Sequence, residues 1–189
     1  MDVPAPGTSV RAKAVISYRL RPGRRDDLER LGEIERSAGE MFAAHGMSAV
    51  AEDEPFSIEE LTEYCVRERL WVVTDESDRP VAYSVADLID GCAHLEQVSV
   101  HADHAGQRLG QALIEAVVEW ARERQLPAVT LTTFSEVPWN GPYYARLGFE
   151  TIPEASLSPG LRRIRREEAE HGLDRWPRVC MRKGIDESC

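Results

Sequence analysis

The stretch that decides the reading of this chain is Leu95-Glu96-Gln97-Val98-Ser99-Val100-His101-Ala102-Asp103-His104-Ala105-Gly106-Gln107-Arg108-Leu109-Gly110-Gln111-Ala112-Leu113. Its first part alternates, with apolar Val98 and Val100 two apart, and reads as a strand. Its last part opens an amphipathic helix. Leu109, Leu113, Ala116, Val117 and Trp120 share one stripe, and Glu115, Glu119 and Glu123 share another. Between them lies a short loop of small and polar residues, His104 to Gly110. A strand that runs through such a loop straight into a helix suits anion binding. Small residues let backbone amides approach a phosphate, and the unpaired N–H groups and helix dipole favour negative charge. Arg108 adds a charge-assisted contact to that picture. The loop lacks the GK[ST] ending of a nucleotide P-loop and the GxGxxG of a dinucleotide fold.

Outward from this segment, strands and helices alternate. Upstream, Leu70–Thr74, Val81–Ile89 and Ala93–His101 read as strands, with a polar turn over Asp75–Pro80 and an Asp90-Gly91 hairpin signal. Earlier still, a strand is expected over Val15–Leu20 and a helix from Leu28 to about Phe42. Ser57 and Glu60 form a capping box that opens a helix toward Arg69. Downstream, the long helix spans about Arg108 to Arg124 and stops at Pro127. A strand follows over Ala128–Thr133, then a helix over Pro138–Leu147 with Gly148 as its C-cap. A polar connection leads to a last strand at Arg178–Met181. The order βααβββαβαβ predicts an α/β domain with one mixed sheet.

The 189 residues suit one domain, expected over 13–189, behind a flexible tail at 1–12. A net charge of −10 disfavours nucleic acid as a partner. The acid is concentrated: Asp26 to Glu60 holds 11 carboxylates against two arginines, whereas Arg162 to Lys183 is basic. These are ordinary solvated faces or, for the first, an attraction for a cationic partner. Apolar runs fall short of a membrane span, and the opening MDVPAPGTSV lacks the pattern of a secretory signal, so a cytoplasmic protein is expected. Cys65, Cys92, Cys180 and Cys189 have no CxxC spacing and no His cluster beside them, so no metal site is indicated.

A second motif, Tyr144-Ala145-Arg146-Leu147-Gly148-Phe149, stands about thirty residues past the loop. Together the two segments resemble the GNAT superfamily of acetyl-CoA-dependent N-acetyltransferases. Val100 and Gly110 match the ends of the first family motif, and the Y-x-x-x-G-F run matches the second. Ala105 stands where Arg or Gln is usual, and Arg108 stands where the middle Gly is usual. An ordinary helical or bridge conformation is expected at Arg108. The resemblance covers about Val15 to Phe149. It implies a mostly antiparallel central sheet flanked by helices and splayed between the fourth and fifth strands.

The resemblance also implies acetyl-CoA as cosubstrate. Val98, Ser99 and Val100 would meet pantetheine with their backbone, like an added strand. Ala105, Gly106, Gln107, Arg108, Leu109, Gly110 and Gln111 would cradle the pyrophosphate. Asn140 and Tyr143 fall beside the cofactor, and Tyr144 stands at the position of the general acid. An ammonium acceptor needs a base to free its lone pair. Strand alternation puts His94, Glu96, Val98 and Val100 on one face, so Glu96 and His94 are both candidates. Glu33 and Glu35, on the first helix, are candidates to hold the amine, and Phe42 to Phe56 for a mobile lid over it. The implied partner is an amine, read as a small molecule, with a homodimer open. The competing reading is a non-catalytic acyl-CoA-binding or protein-interaction module, with LRRIRREEAEHGLDRWPR as its docking helix.

Overall fold

Seven strands assemble into one sheet in the order β1-β2-β3-β4-β5-β7-β6. They are β1 (Arg19–Pro22), β2 (Leu70–Thr74), β3 (Pro80–Ile89), β4 (Cys92–Val100), β5 (Ala128–Phe134), β6 (Glu150–Thr151) and β7 (Arg178–Gly184). The helices are α1 (Leu28–Ala43), α2 (Ser48–Ala51), α3 (Ile58–Val66), α4 (Leu109–Glu123), α5 (Gly141–Arg146) and α6 (Pro159–Glu170). This computed structural model describes residues 17–185. The expected tail at 1–12, the strand residues Val15 and Ile16, and Cys189 lie outside the described residues. Among the described residues no helix is long and apolar enough to cross a membrane.

Every neighbouring pair of strands is antiparallel except β4 and β5. That parallel pair meets only at Ala93↔Val129 and His94↔Thr130, and beyond it the two strands part. The mixed, splayed sheet expected from the sequence is therefore present. One face of the sheet packs on α4, whose Leu109, Leu113, Val117 and Trp120 join Trp71, Val81 and Leu131. The other packs on α1 and α3, where Leu28, Leu31, Ile34 and Leu61 meet Val72, Tyr83 and Val85.

Local signals act where they were expected. Ser57 Oγ accepts from the Glu60 amide while Glu60 accepts from the Ser57 amide, closing the capping box of α3. Asp90 and Gly91 both take positive φ, as a two-residue hairpin turn requires. The first strand lies later than expected, over Arg19–Pro22, with Leu20 opposite Val73. Buried Arg21 anchors it there through a bidentate pair with Asp27, at 2.7 and 2.9 Å. The connection after Phe149 also departs from expectation, since it contains β6 and the twelve-residue α6. Ser158 caps α6 by accepting from the Leu161 amide, and Leu161 is buried. The basic segment thus forms a helix that packs on the domain through Leu161, with Arg162, Arg163 and Arg166 exposed.

Two backbone details shape the region of interest. β3 and β4 change register so that Val85 faces Gln97 while Ala86 faces Leu95, leaving Glu96 as the extra residue of a bulge. The bulge reverses the alternation. Ala93, Leu95, Val98 and Val100 all face α4, whereas His94 pairs with Asp87, whose side chain meets Tyr64 of α3. The single face expected for His94, Glu96, Val98 and Val100 does not exist, because alternation holds only along an unbroken ladder.

Arg108 is the second departure. Its φ of 60° and ψ of 20° are left-handed, not helical or bridge. The chain must turn sharply between Gly106, at φ 76°, and the first turn of α4. Left-handed backbone costs an ordinary residue roughly 1–2 kcal/mol. Glycine's extra freedom in the unfolded chain offsets part of the gain, so Arg108→Gly should raise stability by up to about 1 kcal/mol, measured as a higher denaturation midpoint. At the start of α5 the constraint is space instead. A Cβ on Gly141 would lie 2.8 Å from the Ser135 carbonyl oxygen. Gly141→Ala should lower stability by about 1–3 kcal/mol. An unchanged thermal midpoint would show that α5 can slide outward at no cost.

Candidate active site

Where β4 and β5 part, a cavity of about 450 Å³ opens. One wall is β4, with Glu96, Gln97 and Val98; the opposite wall is β5, with Thr132 and Phe134. The N-terminal part of α5 contributes Asn140 and Tyr144, and α1 contributes Glu35 and Phe42. Val50 and Ala51 at the end of α2, and residues 53–56 after it, line a further part of the cavity. That segment lies within the expected lid region, and here it forms part of the wall.

Glu96 owes its position to the bulge. About 36% of its side chain is accessible, and it borders the cavity. Burial, reinforced by Asp87, Glu168 and Glu167, pushes its carboxyl up to about 7. His94 is placed differently. It is 1% exposed and is not part of the cavity wall. Its Nδ1 lies 2.9 Å from Thr130 Oγ1, and Thr130 Oγ1 donates to the Ala93 carbonyl at 3.2 Å. Burial pulls its imidazole down to about 4, so it is neutral near pH 7. Its Nε2 stands 3.7 Å from Glu96 Oε2. His94 therefore ties the vertex of the split strands and backs Glu96 from behind.

Tyr144 is half-buried on the α5 wall, with its ring edge-on to Tyr143 and Phe149. Burial raises its phenol above the usual value near ten, so it stays protonated at neutral pH. Tyr143 points elsewhere: its hydroxyl lies 3.4 Å from where a Cβ on Gly110 would stand. Val98 and Val100 methyls lie 3.8 Å from the same point. Val98 thus touches both the cavity and the start of α4. Asn140 Oδ1 is buried and has no partner among the described residues, although the residue borders the cavity.

The loop residues Ala105, Gly106, Gln107 and Arg108 are exposed, and nothing crowds Gly106. Leu109 turns its side chain into the core, and Gln111 donates to Glu115 at 2.8 Å. Leu109 and Gln111 therefore have only their backbone free to face the loop. Ser99 is buried and accepts from Gln97. Of the two acidic candidates on α1, only Glu35 borders the cavity. Glu33 is exposed and paired with Arg30.

One wall has no counterpart in the sequence reading. Glu168 of α6 is gripped by Arg165 and by Arg178, whose Nε donates at 3.1 Å, and it accepts from Thr132 of β5. Arg178 also lies over the Phe134 ring, 4.3 Å from its centre. Nothing local in a run of arginines and glutamates shows which carboxylate folds inward. The register of β7 against β5, with Phe134 opposite Arg178, decides it.

A family model described as "Acetyltransferase (GNAT) family" matches residues 32–149. An acetyltransferase of the GNAT family from Staphylococcus aureus Mu50 is similar in structure, with a TM-score of 0.67 at 12% identity, covering 90% of this chain and 100% of that one. The PaiA N-acetyltransferase from Thermoplasma acidophilum, solved in complex with coenzyme A, gives 0.66 at 15%, covering 89% and 99%. The ribosomal-protein-S18-alanine N-acetyltransferase of Escherichia coli gives 0.63 at 15%, covering 92% and 97%. The matched segment begins on α1, takes in both walls of the cavity at β4 and β5, and ends at Phe149 just past α5, and the chain belongs to the acetyltransferase (GNAT) family.

Proposed function

We propose that this protein moves an acetyl group from acetyl-CoA to a primary amine by direct attack in a ternary complex. The observation that carries the reading is the meeting of Glu96 and Tyr144 on two walls of one cavity, at the place where β4 loses its partner strand. Acetyl-CoA supplies an acyl group activated as a thioester. The residues present fit it. The unpartnered Asn140 Oδ1 can accept from an amide N–H, and the open loop at Gly106 leaves room for phosphate. The parted β4 edge can pair through Val98, Ser99 and Val100 with an extended chain. The backbone from Gly106 to Gln111 leads into a fifteen-residue helix, whose dipole favours the pyrophosphate.

Each residue then has a defined task. Glu96 removes the proton from the acceptor ammonium. A carboxyl raised to about 7 is better matched to that task than an ordinary glutamate. The Val98 amide, beside the bulge, stabilises charge as it develops on the acyl oxygen. Tyr144 holds a proton at its phenolic oxygen and gives it to the departing sulfur. His94 stays neutral and keeps the vertex closed, so Glu96 is preferred over it as the base.

The pH dependence has a definite sign. Below about 7 the Glu96 carboxyl carries its own proton and cannot accept another, so kcat/KM should rise through an inflection near that pH. In Glu96→Gln the inflection should disappear and kcat should fall by roughly 10²–10⁴-fold. Retention of the wild-type profile in that variant would remove Glu96 from the mechanism. Tyr144→Phe keeps the ring but loses the proton. Its kcat should drop by roughly 10²-fold with little change in KM for acetyl-CoA, as expected for a group used only in the transition state. A non-catalytic module would bind acetyl-CoA in calorimetry and release no free thiol with any amine.

A further inference from the structure

Glu35 has surroundings unlike those of the other carboxylates that border the cavity. Its Oε2 accepts from the Tyr83 hydroxyl at 2.5 Å and from the Phe56 amide at 3.3 Å, and its Oε1 accepts from the Gln97 amide at 3.0 Å. All three donors are neutral. They fix the carboxylate from β3, from β4 and from the segment after α2, so it cannot swing away. Among the described residues no ion pair includes it. Burial raises its carboxyl above the ordinary range. A carboxylate held in a half-buried wall normally has a counter-charge, because taking an ion out of water is costly without one.

The chain's own cations nearby supply that charge only weakly. Arg178 is bound to Glu168, and Arg36, on the same rim, attracts Glu35 but is exposed and forms no ion pair with it, so water screens its charge. Asp53 and Glu54 add further negative charge to the same rim. Gln97, which holds Glu35, follows Glu96 directly in the chain, and Glu35 and Glu96 both border the one cavity.

We infer that Glu35 binds a second ammonium group on the acceptor, so that the substrate class is an amine carrying at least two positive charges. The inference rests on the reading above, in which Glu96 takes the proton from the reacting nitrogen. The two carboxylates then have separate partners: Glu96 meets the amine that is acylated, and Glu35 meets the one that stays charged. Tyr83 and Gln97 are positioning residues, since they orient Glu35.

The test uses the full chain with acetyl-CoA and follows free-thiol release. Diamines from diaminopropane to diaminohexane are each compared with the monoamine of equal length. The best diamine should exceed its monoamine in kcat/KM by roughly tenfold to a hundredfold, mainly through KM. Glu35→Gln keeps an acceptor oxygen for Tyr83, and the Gln97 amide can turn over to accept from the new NH2, but the charge is removed. It should abolish that preference while CoA affinity, measured by calorimetry, stays at the wild-type value. Equal rates on diamines and monoamines, or a preference that survives in Glu35→Gln, would overturn the role of Glu35 and leave acetyl transfer standing. Bound CoA with no thiol release from any amine would overturn acetyl transfer itself, and this inference with it.

Discussion

The separation of β4 from β5 is the constraint on which the rest of the structure depends. Two neighbouring parallel strands ordinarily continue their ladder to the end. Here the ladder stops after two register positions, at the His94–Thr130 hydrogen bond. Beyond it, backbone amides and carbonyls that a sheet would consume face a cavity instead. A buried strand edge must be satisfied by something. In the proposed function that free edge takes the extended ligand, with the loop before α4 as a separate place for phosphate. The bulge at Glu96 stands next to the vertex and adds a second irregularity, which brings a carboxylate out of the pleat and to the cavity.

Electrostatics divides the ionisable groups of this region by their surroundings. His94 and Glu96 are two residues apart, and desolvation favours the neutral form of each, pulling the imidazole down to about 4 and, with the neighbouring carboxylates, pushing the carboxyl up to about 7. Glu168 is pulled the other way by Arg178, Thr132 and Arg165, and serves as a closed ion cluster that walls the cavity. Glu35 has three hydrogen bonds and, among the described residues, no ion pair. Three glutamates of the same intrinsic chemistry thus acquire three different surroundings, and their titration follows the site more than the side chain.

The loop before α4 shows a trade between conformation and charge. A left-handed turn there is required by the geometry that joins β4 to α4, and glycine is the residue that adopts it freely. This chain keeps an arginine at φ 60° and supports the strain with the well-packed helix that follows. The same helix holds the sheet through Leu109, Leu113 and Val117, all buried, so the loop is anchored by the core rather than by its own contacts.

The sequence by itself missed β6 and α6 but determined the order of the main elements up to Phe149, the hairpin at Asp90-Gly91, the capping box at Ser57, the amphipathic face of α4 and the loop that leads into it. These are local properties, set by periodicity and by residues with special backbone preferences, and they survive any change in tertiary context. Tyr144 and Glu96 were also legible as candidates, one from its motif and the other from its strand. The tertiary structure alone decided what each could do. A bulge is the difference in length between two paired strands, so neither strand shows it singly, and it moved His94 to the opposite face from Val98. The left-handed state of Arg108 follows from where α4 must dock. The inward turn of Glu168 and the isolation of Glu35 depend on partners 10 to 62 residues away in the chain. Local patterns are written in neighbouring residues, whereas burial and charge pairing are properties of space that exist only once the strands have met.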